Sequence, residues 1–399
     1  MKVAPVQAAL ARLPGVRQTL VHTGQHYDAN MSEIFFHQLE LRPPDMNLGV
    51  GSGSHAEQTA KIMIGLEPII IDRKPDIVLV YGDVNSTVAA ALVCAKLLVP
   101  VGHVEAGLRS HDRTMPEEIN RVLTDQLSIL LFTPSTDGDA NLKREGVSAD
   151  KIHFVGNVMI DTLVRSLPLC HDPRGDGFPE SYVLITLHRP SNVDDPRTFL
   201  GIVDTLNEIG RQVPVIFPLH PRARKNLGTA EMWPRVRFLD PVGYLEFLSL
   251  QKHAGVVITD SGGIQEETTY LGVPCLTLRE TTERPVTITM GTNVLIGGDL
   301  ARLRLEVEQI LSGRVKTGRV PPPLGRACGA TESRRSWRRG DAGGSRSSGS
   351  SRARVRRSAR ARARAPPGAL LPRSGRAGDA PRETRAAVPP RGGSGRRRR

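Results

Sequence analysis

Short apolar, β-branched runs alternate along this chain with stretches whose apolar residues recur at helical spacing. The runs at 18–24 (QTLVHTG), 76–83 (DIVLVYGD), 99–107 (VPVGHVEAG), 129–135 (ILLFTPS) and 151–157 (KIHFVGN) read as strands, and 55–70 and 86–98 between them read as helices. The alternation pauses over 165–181, a Pro- and Gly-rich linker, and resumes with strands at 181–189, 213–221, 235–241, 255–263 and 273–280. Such a pattern predicts an α/β chain of parallel sheets covered by helices on both faces. Two Rossmann-like, doubly wound domains facing a cleft are expected, the first over 1–164 and the second over 165–325.

Both ends depart from that pattern. Val3, Val6, Leu10 and Leu13 recur at helical spacing with Pro5 in the first turn, so the chain opens on a helix. A doubly wound domain ordinarily opens one element earlier, on a strand and a phosphate-binding turn. Residues 326–399 show no hydrophobic period of 2 or 3.6. Arg, Ala, Gly, Ser and Pro dominate them, and they hold too little apolar surface to offset the entropy of ordering. They read as a disordered basic tail, of the composition that a shifted reading frame yields in a GC-rich gene.

That tail distorts the charge balance. The chain carries +13, yet the tail alone holds 22 Arg against 4 acidic residues, which leaves −5 for residues 1–325. A nucleic-acid partner is therefore expected only if the tail is genuine, and such binding would weaken steeply with salt. The four cysteines form no CxxC pair, which fits neither a zinc ribbon nor a disulfide framework and suits a reducing cytoplasm. No apolar run reaches the ~18 residues a membrane span needs.

Ligands of open α/β folds sit beyond the carboxyl ends of the strands. Asp83, Glu105 and His188 lie there, and Glu117 and Glu118 begin a helix after Pro116. Together they offer acid and base groups without metal-ligand spacing. The run GVVITDSGGIQEE takes a buried strand through Ser261, Gly262 and Gly263 into a helix. The glycines allow close backbone approach, and the helix N-terminus offers free N–H groups to a phosphate. Glu267 is placed to accept from a ribose, and Arg279 and Arg284 are candidate clamps on a diphosphate. GVGSGS at 49–54 follows no strand, so Ser54 with Glu57 reads as a helix capping box rather than a dinucleotide turn. Cys94 and Cys275, in apolar surroundings, read as core.

The blocks GQHYD (24–28), YGDVNST (81–87), GHVEAGLRS (102–110), PEEINR (116–121), LHR (187–189), DSGGIQEE (260–267) and TTERP (281–285) resemble, in order and spacing, the signature blocks of non-hydrolysing UDP-N-acetylglucosamine 2-epimerases. The resemblance covers residues 1 to about 320. It implies a GT-B-like pair of domains, usually as a homodimer, and interconversion of UDP-GlcNAc and UDP-ManNAc without a cofactor. The implied route is elimination of UDP to a 2-acetamidoglucal and re-addition with a proton on the other face.

By motif, Asp83, Glu105, Glu117 and His188 would form the catalytic quartet. Ser261, Gly262, Gly263 and Glu267 would hold phosphate and ribose, Arg284 the nucleotide or sugar, and Lys2 would be the surviving lysine of the family's opening loop. Phe247 would lie near uracil, although Val242 stands where the family commonly has Gln. Gln25, His26, Arg189 and His220 would belong to the allosteric site of some bacterial members, but Tyr27 and Asp28 differ from that pattern. The loop's strand and nucleotide-contacting arginine are missing, which predicts a marginally stable, weakly active chain. The competing expectations are a hydrolysing epimerase that releases ManNAc, a GT-B glycosyltransferase, and an inactive product with a nucleic-acid-binding tail.

Overall fold

The structure, a computed structural model, describes residues 1–25, 38–316 and 318. The alternation of the sequence becomes two parallel sheets. Strands β3 (Val78–Tyr81), β4 (Val101–Val104), β5 (Leu130–Thr133) and β6 (Ile152–Phe154) pair in that order. The larger sheet holds β7 (Val183–Thr186), β8 (Val215–Pro218), β9 (Val236–Leu239), β10 (Val256–Thr259), β11 (Cys275–Thr277) and β12 (Asn293–Leu295). Its spatial order is β12-β11-β10-β7-β8-β9. Each strand is shorter than its apolar run, because the ends of the runs bend away as the ligand-facing turns. The linker at 165–181 forms two short 3-10 turns, Leu167–Leu169 and Pro173–Asp176.

Two strands escaped the sequence reading. β2 (Met46–Asn47) pairs only with β1 (Val21–His22), and β12 carries too short an apolar stretch to stand out. Among the described residues no ladder joins β1 to β3, so β1 with β2 forms a separate two-stranded sheet. Helix α1 (Val3–Leu10) confirms the helical reading of the opening residues. Its Val6 packs with Val104, Phe132, Val155 and Val158, closing one face of the four-stranded sheet.

The capping box is present as expected. The Ser54 hydroxyl accepts from Glu57 N at 3.2 Å while Glu57 Oε2 accepts from Ser54 N at 3.0 Å, opening α2 (His55–Arg73). α3 (Asn85–Lys96) follows β3, and α4 (Pro116–Leu127) crosses behind β4. Leu66, Ile70, Val80, Val93, Cys94 and Val101 close the face opposite α1. No helix among the described residues is long and apolar enough to cross a membrane.

Alternation along β7 splits its residues between two cores. Val183 and Ile185 join the larger cluster with Phe199, Leu206 and Phe217, while Leu184 joins Tyr182, Ile216, Leu250 and Val257 on the other face. A strand covered on both sides has no polar positions to spare, which is why the sequence shows continuous apolar runs here. Leu206, in α8 (Pro196–Ile209), is fully buried in the larger cluster. Leu206→Ala is expected to cost about 2–5 kcal/mol of stability through the cavity it leaves, read as a lower denaturation midpoint at unchanged m-value.

Candidate functional site

The candidate residues gather where the carboxyl ends of the two sheets meet. Glu105 follows β4 and is 7% exposed, with φ of +77°. That is an uncommon backbone for a residue with a Cβ, held here by its N–H donating to Phe132 O at 3.0 Å. Its two carboxylate oxygens are taken by two cations from opposite halves of the chain, Lys2 Nζ and Arg284 Nη2. Burial raises the Glu105 pKa, but the Lys2 and Arg284 charges more than reverse this and bring it down to about 2. Gly82, after β3, lets Lys2 reach in: a Cβ there would stand 2.7 Å from Lys2 Nζ.

Asp83 is half-buried and pairs with Arg121 of α4, while its backbone carbonyl accepts from Asn120 Nδ2 at 2.9 Å. Arg121 also reaches Glu118 Oε2 at 2.6 Å, and Glu118 accepts from the backbone of Ser110 and His111. The two adjacent glutamates thus divide. Glu118 is a buried clamp on the preceding loop, whereas Glu117 is half-buried and pairs with nothing among the described residues.

His188 follows β7 and is the exposed member of the expected quartet. Its Nδ1 lies 2.8 Å from Asp260 Oδ1. Asp260, fully buried at the end of β10, also accepts from His188 N, Arg189 N at 3.0 Å and Asn192 Nδ2 at 3.0 Å. Burial raises the Asp260 pKa, yet the His188 contact and these donors hold it below its ordinary value. Asp260 was missed as a site residue, although it heads the DSGG motif. Only the pairing of β10 beside β7 shows that it faces His188.

Ser261 occupies the N-cap of α11 (Gly262–Leu271), but its side chain makes no capping bond. The turn is crowded. A Cβ on Gly262 would collide with Glu283 Oε1, and one on Gly263 would stand 2.8 Å from Met159 Cε. Glu267 is buried, with Oε1 accepting from Tyr244 O–H at 3.1 Å and Oε2 without a hydrogen-bond partner among the described residues. Burial pushes its pKa up to about 7. Glu266 beside it is likewise pushed up to about 7 by burial, despite Arg284 Nε at 3.3 Å.

Arg284 is buried, not a solvated loop residue. Burial lowers its pKa, but Glu266, Glu105 and Glu283 together leave it raised. Arg279 is also buried, 2.7 Å from Glu283, so a Glu partner already holds that candidate clamp. Phe247 packs half-buried beside Tyr182 and Leu184.

Three of the four residues grouped by their allosteric pattern lie among the described residues. Arg189 bonds Asp260 O at 3.2 Å, and His220 stacks obliquely 6.3 Å from His188. Gln25 instead accepts from Ser86 N at 3.1 Å. His26 lies outside the described residues, as do Tyr27, Asp28 and the basic tail.

Fold and site together define a parallel α/β protein in which buried carboxylates and cations meet beside a glycine-rich helix N-terminus. A family model described as UDP-N-acetylglucosamine 2-epimerase matches residues 8–328. The UDP-N-acetylglucosamine 2-epimerase of Methanococcus maripaludis is 43% identical over 326 residues, 78% of this chain and 88% of that protein. The UDP-2,3-diacetamido-2,3-dideoxy-D-glucuronate 2-epimerase of Pseudomonas aeruginosa is 46% identical over 300 residues, 74% of this chain and 85% of that protein. The crystal structure of the Methanocaldococcus jannaschii UDP-GlcNAc 2-epimerase with UDP-GlcNAc and UDP superposes with a TM-score of 0.77 at 42% identity. It covers 84% of this chain and 95% of the other. The chain belongs to the UDP-N-acetylglucosamine 2-epimerase family.

The two raised glutamates make stability depend on pH. Glu266 and Glu267 bind protons more tightly folded than at their ordinary value of 4.5. Their contribution is therefore full below that value and is lost as pH rises through about 7. The thermal midpoint of ligand-free protein should fall between pH ~4.5 and ~7, and the fall should shrink in Glu266→Gln/Glu267→Gln, as measured by calorimetry.

Proposed function

We propose that this chain interconverts UDP-GlcNAc and UDP-ManNAc. The observation that carries the reading is Glu105, a buried carboxylate held by Lys2 and Arg284 at a cleft whose other wall presents a free helix N-terminus and the unpartnered Glu267 Oε2. Epimerisation at C2 needs groups that take a proton from one face and return it to the other. It also needs a cradle for the departing nucleotide.

In this reading a base removes the C2 proton, the C1–O bond to UDP breaks, and the electron pair forms a C1=C2 double bond. UDP oxygen then re-adds to C1 as C2 is protonated on its opposite face. Asp83, Glu105, Glu117 and His188 supply the acid and base groups. Ser261, Gly262 and Gly263 receive phosphate at the N-terminus of α11, and Glu267 accepts from the ribose. Lys2 and Arg284 neutralise the leaving diphosphate, and Phe247 borders the uracil. Release of free ManNAc or transfer of the sugar to an acceptor would point instead to the hydrolysing or glycosyltransferase reading.

A second substrate is favoured by one observation. The Pseudomonas aeruginosa relative, as similar as any other named above, is a UDP-diacetamido-glucuronate 2-epimerase. Its substrate therefore belongs in the same assay.

A cytoplasmic homodimer completes the proposal. Helices α2 and α4 and the turn after α3 leave Ile64, Ile71, Leu98 and Leu123 exposed, by 73, 55, 89 and 45%. A second copy would bury such a surface. Light scattering should report a dimer, and Leu123→Glu should shift it toward monomer.

Proton NMR of UDP-GlcNAc with the protein in D2O should show deuterium entering C2 as UDP-ManNAc appears. Glu105→Gln should lower that rate by about 10²–10⁴-fold. Absence of C2 exchange with both UDP-GlcNAc and the diacetamido-glucuronate would overturn the reading.

A further inference from the structure

His103 stands in the middle of β4 between Gly102 and Val104, fully buried, and both of its ring nitrogens face oxygen. Nε2 lies 2.8 Å from Gly82 O, and a carbonyl oxygen can only accept, so Nε2 carries hydrogen. Nδ1 lies 2.6 Å from Asp125 Oδ1 on α4. Asp125 Oδ2 is already occupied: it accepts from Gly107 N at 3.1 Å and sits 2.7 Å from Arg109 Nη2. Arg109 is in turn paired with Glu145 at 2.6 Å. A carboxylate so surrounded by donors is held ionised, and His103 Nδ1 is one of its contacts. Burial works against that charge, and His103 and Arg109 outweigh it, holding Asp125 below its ordinary pKa.

The two ends of this chain of bonds are the turns that carry the candidate acids. Gly82 directly precedes Asp83, and Gly107 follows Glu105 by two residues. Gly82 and Gly107 take positive φ of 70 and 80° as glycine readily does, whereas Glu105 at 77° holds a backbone that a residue with a Cβ rarely adopts. Gly107 has no room to relax, since a Cβ there would lie 2.5 Å from Gly138 O. An apolar side chain at position 103 would fill the strand, but it would not bridge the turns.

We propose that His103 and Asp125 are positioning residues that lock the Asp83 turn to the Glu105 turn. Together they set the spacing of two acid/base groups that stand on different strands. The proposal rests on the epimerase reading for its kinetic consequence but not for its structural one.

The two are tested together in wild type, His103→Asn, His103→Gln and Leu66→Ala. Asn offers a donor near the place of Nδ1 and loses the link to Gly82, whereas Gln is long enough to offer a donor to Gly82 O. Leu66→Ala is a destabilised comparator in a separate cluster. His103→Asn should lower kcat about 10–100-fold with KM for UDP-GlcNAc altered less than about 3-fold, and Gln should recover part of the loss. In amide hydrogen exchange, the Gly82 and Gly107 amides should speed up together by about 10-fold or more in His103→Asn, and not in Leu66→Ala.

If those amides keep wild-type protection, or if kcat falls only as far as in Leu66→Ala, His103 is a core residue and the proposal fails. If wild type shows no turnover, the epimerase reading fails, and the paired exchange of the two amides still decides whether His103 locks the turns.

Discussion

The arrangement depends on one buried contact, Glu105 between Lys2 and Arg284. Lys2 enters from the first helix, Glu105 from the end of β4, and Arg284 from the turn beyond β11. A single carboxylate thus ties the amino-terminal half to the carboxyl-terminal half. Buried charges are expensive unless matched: here Glu105 has a cation on each oxygen, Arg284 is shared with Glu266, and Lys2 keeps part of its side chain exposed. The same contact keeps Glu105 ionised and draws the cations to where a diphosphate would need them.

Around that centre the chain uses buried acids for two different ends. Asp125, Asp260 and Glu118 are surrounded by donors and fix backbone: Asp125 the Gly107 turn, Asp260 the His188–Arg189 turn, Glu118 the loop at Ser110. Glu266 and Glu267, on α11, are as buried but have fewer donors, and are pushed toward neutrality by burial. Acids of the first kind hold the site in shape before anything binds. The unfilled acceptor of Glu267 is a cost that a hydroxyl-bearing ligand can remove.

Much of this was legible in the residues. Ten strands fell within the expected runs because a parallel strand covered on both faces writes itself as a continuous apolar stretch. The runs that became β3, β4 and β7 also put Asp83, Glu105 and His188 at carboxyl ends. β2 and β12 were not legible, since β2 follows Pro43 and Pro44 and β12 lies between Gly291 and Gly297, in segments that read as turns. Asp260 and His103 were visible as residues but not as partners. Nothing local distinguishes a carboxylate that caps its own turn from one that holds a histidine on the next strand.

The sequence by itself determined the alternation of elements, the family, and which residue types stand at the strand ends, because backbone periodicity and turn chemistry are properties of neighbours in the chain. Only the tertiary structure decided which charges meet. Lys2 finds Glu105, Glu105 finds Arg284, and His103 joins Gly82 to Asp125 across separations of 103, 179, 21 and 22 residues. The physical reason is that an ion pair is chosen by distance and by exclusion of water, and both are set when the sheets pack rather than when the strands form.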